Sequence, residues 1–358
     1  MRIAIDAREL IGQRTGVGRY LQEILTAWGD LPGAAAHEFV LCAPERVEAP
    51  SSLRASVSTA HGRGTVWEQV ALPRLVKSAG ADVLFAPGYT GPLRGTVPLV
   101  VTIHDVSFVA HPEWFSWREG LRRRKLTQWS AHRAARVVTV SDFSKREIVR
   151  HLGISQANVE VIYSGATMLP PAPRVDGAPF VLYAGSIFNR RHLPELIEGF
   201  DLVAKQSPDI RLEIVGDNRT RPPVDLDALI GRASAARRIR ARSYVSDADL
   251  SALYATASVF AFLSDYEGFA MTPLDALAAG VPVVLLDTEV SREIYGPAAT
   301  YVERPDPALI AAALERALFD QHERTRVLNA AAVQLERYSW RECAQRTLQV
   351  LLACATPG

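Results

Sequence analysis

Short apolar runs alternate along the chain with longer stretches of helical period, a pattern that predicts strands separated by helices. Residues 2–7 read as a buried strand, followed after a long loop by a helix over 17–28. Further strands are predicted at 37–42, 81–86, 99–104, 136–141 and 159–163, with helical segments between most of them. A Pro-rich stretch at 168–179 then breaks the pattern. Alternation resumes at Phe180 with a strand, a helix over 193–205 and a second strand. Helices over 225–235 and 247–257, with a strand over 239–245 between them, lead to a strand over 258–263, and the segments 306–336 and 340–353 read as helical. The expected architecture is α/β, with two doubly wound domains built on parallel sheets covered on both faces. The first domain is expected over 1–168, the linker over 169–179 and the second domain over 180–338. A final helix, 339–358, is expected to return to the first domain. In such sheets ligands bind outside the carboxyl ends of the strands, and the cleft between two domains is the default site.

The stretch 258–287 is the most informative one. An apolar strand runs into an acidic loop that holds Glu267 and Gly268. A helix opens near Thr272 and Pro273, where Pro is tolerated at the first helical position, and stops at Gly280. The run 281–286 then returns as a second buried strand. Glu267 therefore stands at the carboxyl end of a strand and Asp275 in the following helix. Two acids at one crevice suit the hydroxyls of a ribose or a hexose. The plainer alternative is a carboxylate stabilised by the helix dipole.

Other candidates fall at the same kind of edge. The loop after the strand at Phe180 reads A-G-S-I-F-N-R-R-H-L, where Gly185 allows a tight turn and Arg190 and Arg191 precede a helix. Paired guanidiniums beside helix amides make a diphosphate cradle, although two arginines facing solvent would read the same way. In the first domain His104 and Asp105 end a strand, and Tyr89 follows a Pro-Gly turn that points it to the crevice. A lone His is often structural, but this position faces the ligand edge. Gly16 and Gly18 open a helix where backbone amides could approach an anion. The third Gly of a dinucleotide fingerprint is missing, which argues against a nicotinamide-dependent dehydrogenase. Asp225-Leu226-Asp227 spells a short acid pair, but it falls in a predicted helix and reads as surface.

Composition narrows the class. With 358 residues, 48% hydrophobic and 22% charged, the chain is globular and long enough for two domains. A net charge of +1 provides no global field for nucleic acid, so any basic patch is local. One such patch is the segment 114–136, which combines Trp114, Phe115, Trp117 and Trp129 with seven Lys and Arg residues. On a helix these could separate into an aromatic face and a basic face, suited to an anionic membrane surface or to domain packing. Three widely spaced cysteines form neither a disulfide framework nor a metal cluster. Asp6 interrupts the first apolar run, so the N-terminus does not read as a secretory signal, and no apolar run is long enough to span a bilayer. A cytoplasmic protein is expected, possible peripheral contact with the inner face of the membrane being confined to that basic segment.

Taken in order, the motifs resemble those of the retaining family-four (group 1) glycosyltransferases of the GT-B fold. E-G-F-A-M-T-P-L-D-A-L-A-A-G-V-P-V-V is similar to that family's pair of acids separated by seven residues, and G-S-I-F-N-R-R-H-L to its Gly-Ser…Arg-Lys-Asn-Leu loop. T-G-V-G-R-Y, T-I-H-D and T-V-S-D-F-S are similar to its N-terminal motifs. The resemblance implies that Glu267, with Gly268 and Phe269, contacts the donor sugar and that Asp275 binds the ribose. It implies that Arg190 and Arg191, after Gly185, bind the diphosphate. His104 would assist transfer, and Gly16 would lie in a loop that closes over the donor. Asp275 replaces Glu, Arg191 replaces Lys and His192 replaces Asn, so reach and geometry differ at those places. The implied activity is metal-independent transfer of a hexose, mannose favoured and GDP-mannose the favoured donor, to a glycan or polyprenyl- or lipid-linked acceptor in cell-surface polysaccharide synthesis. No cofactor is expected, and Tyr89 and Trp114 are the acceptor candidates. A rhamnosyl- or other hexosyltransferase, a nucleotide-sugar epimerase and a non-catalytic sugar-binding subunit are the alternatives.

Overall fold

The computed structural model describes residues 1–13, 16–167 and 178–355. It divides into two compact units, Met1–Gly165 with Tyr338–Gly358, and Ala166–Arg337. Most of the Pro-rich stretch lies outside the described residues.

The first unit holds a parallel sheet of seven strands in the order β3-β2-β1-β4-β5-β6-β7. These are β1 (Arg2–Asp6), β2 (Glu38–Ala43), β3 (Ala55–Thr59), β4 (Val83–Ala86), β5 (Leu99–Thr102), β6 (Arg136–Thr139) and β7 (Val159–Val161). The central strands are continuous apolar runs because helices cover both faces, and β4 and β5 are buried at every position. Strand β3, A-S-V-S-T, is absent from the sequence expectation. It is an edge strand with no fully buried position, so no apolar run marks it.

The helix Gly16–Gly29 turns Tyr20, Leu21, Ile24, Leu25 and Trp28 inward at helical spacing. The final helix, Trp340–Ala355, belongs to this unit: the Trp28 indole Nε1 donates to the Ala344 carbonyl at 2.8 Å, and Arg346 meets Glu160 at 2.7 Å. Gly165 lies so close to this helix that a Cβ there would sit 2.3 Å from the Trp340 amide nitrogen.

The second unit repeats the plan with six parallel strands in the order β10-β9-β8-β11-β12-β13. They are β8 (Phe180–Ala184), β9 (Arg211–Val215), β10 (Ile239–Arg242), β11 (Val259–Phe262), β12 (Val283–Leu286) and β13 (Thr300–Val302). In each sheet the strand order reverses beside the first strand, between β1 and β4 and between β8 and β11. Loops leaving the carboxyl ends at such a switch point diverge and leave a ligand crevice. The loops holding Arg190 and Glu267 leave β8 and β11 and so flank the reversal in the second sheet.

The aromatic and basic segment differs from expectation. Its helix is Trp117–Arg133, and Trp114 falls in a short 3-10 turn, Pro112–Trp114, ahead of it. The buried side is made of small residues, Gly120, Thr127, Ser130 and Ala131. Trp117 is 71% exposed and Trp129 51%, and they share the outer side with Arg118, Arg122 and Lys125. The separation into an aromatic face and a basic face does not occur, because the close contact beneath admits only small side chains. Among the described residues no helix is long and apolar enough to cross a membrane.

Candidate functional site

Strand β8 ends at Ala184, and the next residue, Gly185, has its backbone at φ +142°. The loop after β9 crosses it so closely that a Cβ on Gly216 would stand 1.9 Å from the Gly185 carbonyl oxygen, which leaves glycine as the only residue that fits. The chain then makes the turn Asn189–Arg191 and enters the helix Leu193–Gln206, with Pro194 in its first turn. Arg190 and Arg191 are thereby presented just ahead of a helix N-terminus.

Both arginines reach the loop after β11. The Arg191 Nε and Nη2 each lie 2.8 Å from Glu267 Oε1, and the Ser264 hydroxyl donates to the same oxygen at 2.8 Å. Arg191 Nη1 donates to the Ser186 carbonyl at 2.6 Å. Arg190 donates from Nε to the Tyr266 carbonyl at 3.0 Å, and its guanidinium stands 3.9 Å from Glu267 and 4.3 Å from the centroid of the Phe188 ring. The Glu267 and Arg191 side chains are only 13% and 12% exposed. Burial would release the Arg191 proton more easily, but the Glu267 charge and hydrogen bonds outweigh it and raise the pKa. Oε1 takes all three close donors, which leaves Oε2 without a partner among the described residues.

Gly268 and Phe269 are buried behind Glu267, and Ala270 turns through a left-handed conformation (φ 62°) into the helix Met271–Ala278. The Tyr295 hydroxyl holds the Ala270 carbonyl. Glu267, Ser264 and Phe269 also line a cavity of 20 Å³, room for about one water and not for a sugar. Asp275 lies in this helix, 2% exposed, with Oδ1 accepting from the Thr167 amide at 3.1 Å. Asp225 caps the helix Leu226–Gly231 by accepting from the Ala228 amide at 2.9 Å, which gives it a local structural part, and Asp227 is exposed.

The first unit has its own cluster at the carboxyl edge. His104 follows β5, and its Nε2 lies 2.9 Å from the Pro87 carbonyl. A carbonyl only accepts, so Nε2 carries the proton and Nδ1 is the acceptor nitrogen of the neutral ring. Burial pushes the His104 pKa below its ordinary value. Tyr20 packs edge-on against the ring at 4.8 Å, and Tyr89 packs at 5.5 Å while its hydroxyl donates to Asp105 at 2.7 Å. Trp114 stacks instead on His111, and Gly16 begins its helix exposed. A buried group after β1 carries no sequence signal beyond one charge in an apolar run. Arg8 lies 2.8 Å from Asp6 and also bonds Glu68, while burial pushes the Asp6 carboxyl up to about 6.

The structure thus brings Gly185, Arg190, Arg191, Glu267, Gly268 and Phe269 together in one unit, and His104 with Tyr89 in the other. Sequence reasoning named the arginines and Glu267 but not their pairing, nor the part of Ser264, since loop-to-loop contacts have no periodicity. Removing one partner of so buried a pair strands the other. Arg191→Met should cost on the order of 3 kcal/mol in urea unfolding. Adding Glu267→Gln to that variant should recover most of the loss, and strictly additive effects would contradict the pairing.

Residues 14–167 match the family model described as Glycosyltransferase Family 4, and residues 169–334 match Glycosyl transferases group 1. The O-antigen chain mannosyltransferase B of Escherichia coli is 28% identical over 261 residues, which cover 70% of this chain and 68% of that one. A glycogen synthase of Mycobacterium tuberculosis is 29% identical over 72% of this chain, and the match spans only 63% of its own length. Among solved structures, Anabaena Alr3699/HepE in complex with UDP-glucose superposes with a TM-score of 0.78 at 17% identity, covering 99% of this chain and all of that one, a likeness of fold. With two matching models that follow one another along almost the whole chain, and two Rossmann-like parallel sheets beneath them, this protein belongs to the family 4 (group 1) glycosyltransferases of the GT-B fold.

Proposed function

We propose that the protein transfers a hexose, mannose in the first instance, from a nucleoside-diphosphate sugar to a glycan or lipid-linked acceptor, with retention of anomeric configuration and without a metal. The observation that carries this reading is the fixed pair Arg190–Arg191 beside Glu267 at the switch point of the second sheet. Breaking a sugar–phosphate bond builds negative charge on the departing diphosphate. Donors that are already oriented and partly buried stabilise that charge without reorganising. Arg190 is the better placed of the two to turn to phosphate, because the nearer bonds of Arg191 hold Glu267 and Ser186. Glu267 Oε2 is available to a sugar hydroxyl, with Gly268 and Phe269 shaping the loop. A ribose hydroxyl on Asp275 would share or displace the Thr167 amide. His104, neutral by burial, can accept a hydrogen bond at Nδ1. The retaining step is read as front-face, the leaving phosphate taking the acceptor's proton, so no protein nucleophile is assigned.

Mannose is favoured by the O-antigen mannosyltransferase relative, while a fold neighbour was solved with UDP-glucose, so the base is the property to measure. A thermal-shift panel of GDP, UDP, ADP and their sugars decides it. At a hundredfold excess over Kd a ligand adds about 2.7 kcal/mol of stability. The expected result is a shift by GDP and GDP-mannose that Arg190→Ala abolishes. A shift by none of the panel would sink the donor reading. His104→Ala should slow turnover by about tenfold or more while leaving nucleotide affinity within about twofold.

The basic aromatic helix supports a peripheral place on an anionic bilayer, where a lipid-linked acceptor resides. Arg122 bonds Thr65 at 3.0 Å, which sets Val66 (73% exposed) and Val70 (45%) beside the helix that carries Trp117, Leu121 and Trp129. Exposed apolar tips interleaved with cations fit a charged lipid interface. Each cation contributes about 1 kcal/mol near such a surface. Replacing Arg118, Arg122 and Lys125 by Gln should weaken flotation with phosphatidylglycerol vesicles about a hundredfold. Equal binding to neutral and anionic vesicles would refute it.

A further inference from the structure

The turn that carries both arginines ends at His192, and this residue does more than close it. Its backbone is left-handed (φ 47°, ψ 41°), a region that Asn, Asp and His enter more readily than other side chains do. Its ring nitrogens then face two carboxylates. Nε2 lies 2.7 Å from Asp265 Oδ2, and Nδ1 lies 3.5 Å from Glu195 Oε1. Carboxylate oxygens only accept, and a neutral imidazole has a single N–H, so only the protonated ring can serve both sides.

The electrostatics agree. Burial alone would lower the pKa of the ring, but hydrogen bonds to Asp265 and Glu195 and their charges push it up to about 9. Burial alone would raise the Glu195 carboxyl, and the His192 bond draws it below its ordinary value instead. The charged groups facing the ring are Asp265, from the loop after β11, and Glu195, from the helix Leu193–Gln206. The cavity beside it, 260 Å³, is otherwise walled by uncharged residues such as Thr220 and Val224 from the loop after β9 and Leu226 from the helix that follows.

The partners matter because of where they lie. Asp265 stands two residues before Glu267, and its own amide donates to the Arg190 carbonyl at 3.0 Å. Arg190 in turn bonds the Tyr266 carbonyl at 3.0 Å. His192 therefore joins, from the more exposed side, the same two loops that Arg191 and Glu267 join from the buried side. We propose that His192 is a positioning residue, a clasp on Asp265 that locks the Glu267 loop against the Arg190–Arg191 turn and so sets the spacing at which the donor diphosphate and its sugar are held. This rests on the reading of that pair of loops as the donor site.

The clasp has a pH signature. Because the ring's pKa is raised on folding, its contribution is complete below the ordinary histidine value and is lost as pH rises through about 9. Two measurements on the full chain test it. In a histidine-selective NMR titration, the His192 resonance, assigned by its absence in His192→Asn, should titrate near pH 9. In Asp265→Asn it should titrate at least about one unit lower. Affinities for GDP, UDP and ADP, used as probes at pH 7.5 and 9.5, give the functional half. His192→Asn keeps a residue tolerant of the left-handed backbone and removes the ionic bond. It should bind the accepted nucleotide roughly three- to tenfold more weakly at the lower pH. Wild type should converge on the variant at the higher pH, an effect that lost backbone support alone would not produce. A ring titrating in the ordinary range, or equal affinities at pH 7.5, would overturn the proposal. A ring titrating near pH 9 in a protein that binds none of GDP, UDP and ADP would refute the donor reading while leaving the clasp supported.

Discussion

The Glu267 carboxylate, held on a single oxygen by Arg191 and Ser264, is the contact on which the rest of the second unit's site depends. At 2.8 Å, attraction between unit charges is about 6 kcal/mol at an effective dielectric of 20. Desolvating the two ions costs several kcal/mol each, so the pair adds little net stability. Its consequence is geometric. Because one oxygen takes every donor, the other keeps a fixed direction, and because Arg191 also grips the Ser186 carbonyl, the turn after β8 cannot move without the loop after β11.

The sheet makes that pairing possible. Reversal of strand order between β8 and β11 sends their loops apart while keeping their starting points adjacent. Gly185 and Gly216 then let the backbone after β9 press onto the first loop, leaving the arginines little freedom to swing away. Cations held in place by a carboxylate are well suited to a diphosphate, which competes for guanidinium donors but does not have to organise them. The first unit follows the same topology with different chemistry. At its carboxyl edge stand a buried neutral imidazole at His104 and an Asp6–Arg8–Glu68 cluster in place of paired arginines.

Much of this was legible in the sequence. Buried parallel strands are continuous apolar runs, so β1, β4, β5, β8, β11 and β12 stand out, and the strand-end positions of His104, Arg190 and Glu267 follow from them. Strand β3 did not stand out, since an edge strand of Ser, Ala and Thr buries too little to leave a pattern. The segment around Trp117 misled for a related reason. Aromatic and basic residues were expected to divide into two faces, yet the helix packs through Gly120, Ser130 and Ala131, and its tryptophans share the outer side with the cations. Contacts between loops distant in sequence, such as His192 with Asp265 and Arg191 with Glu267, carry no periodic signal at all. They depend on which strands are neighbours, and that appears only once the sheet order is known.

The central claim is that Arg190 and Arg191 are organised to hold a diphosphate rather than simply to neutralise Glu267. Calorimetric titration with GDP against GMP, and UDP against UMP, tests it directly, because each pair differs only in the phosphate the arginines are said to grip. The account predicts that for one base the diphosphate binds at least about tenfold more tightly, a difference of roughly 1.4 kcal/mol or more. Equal affinity for the monophosphate and the diphosphate of both bases would contradict it.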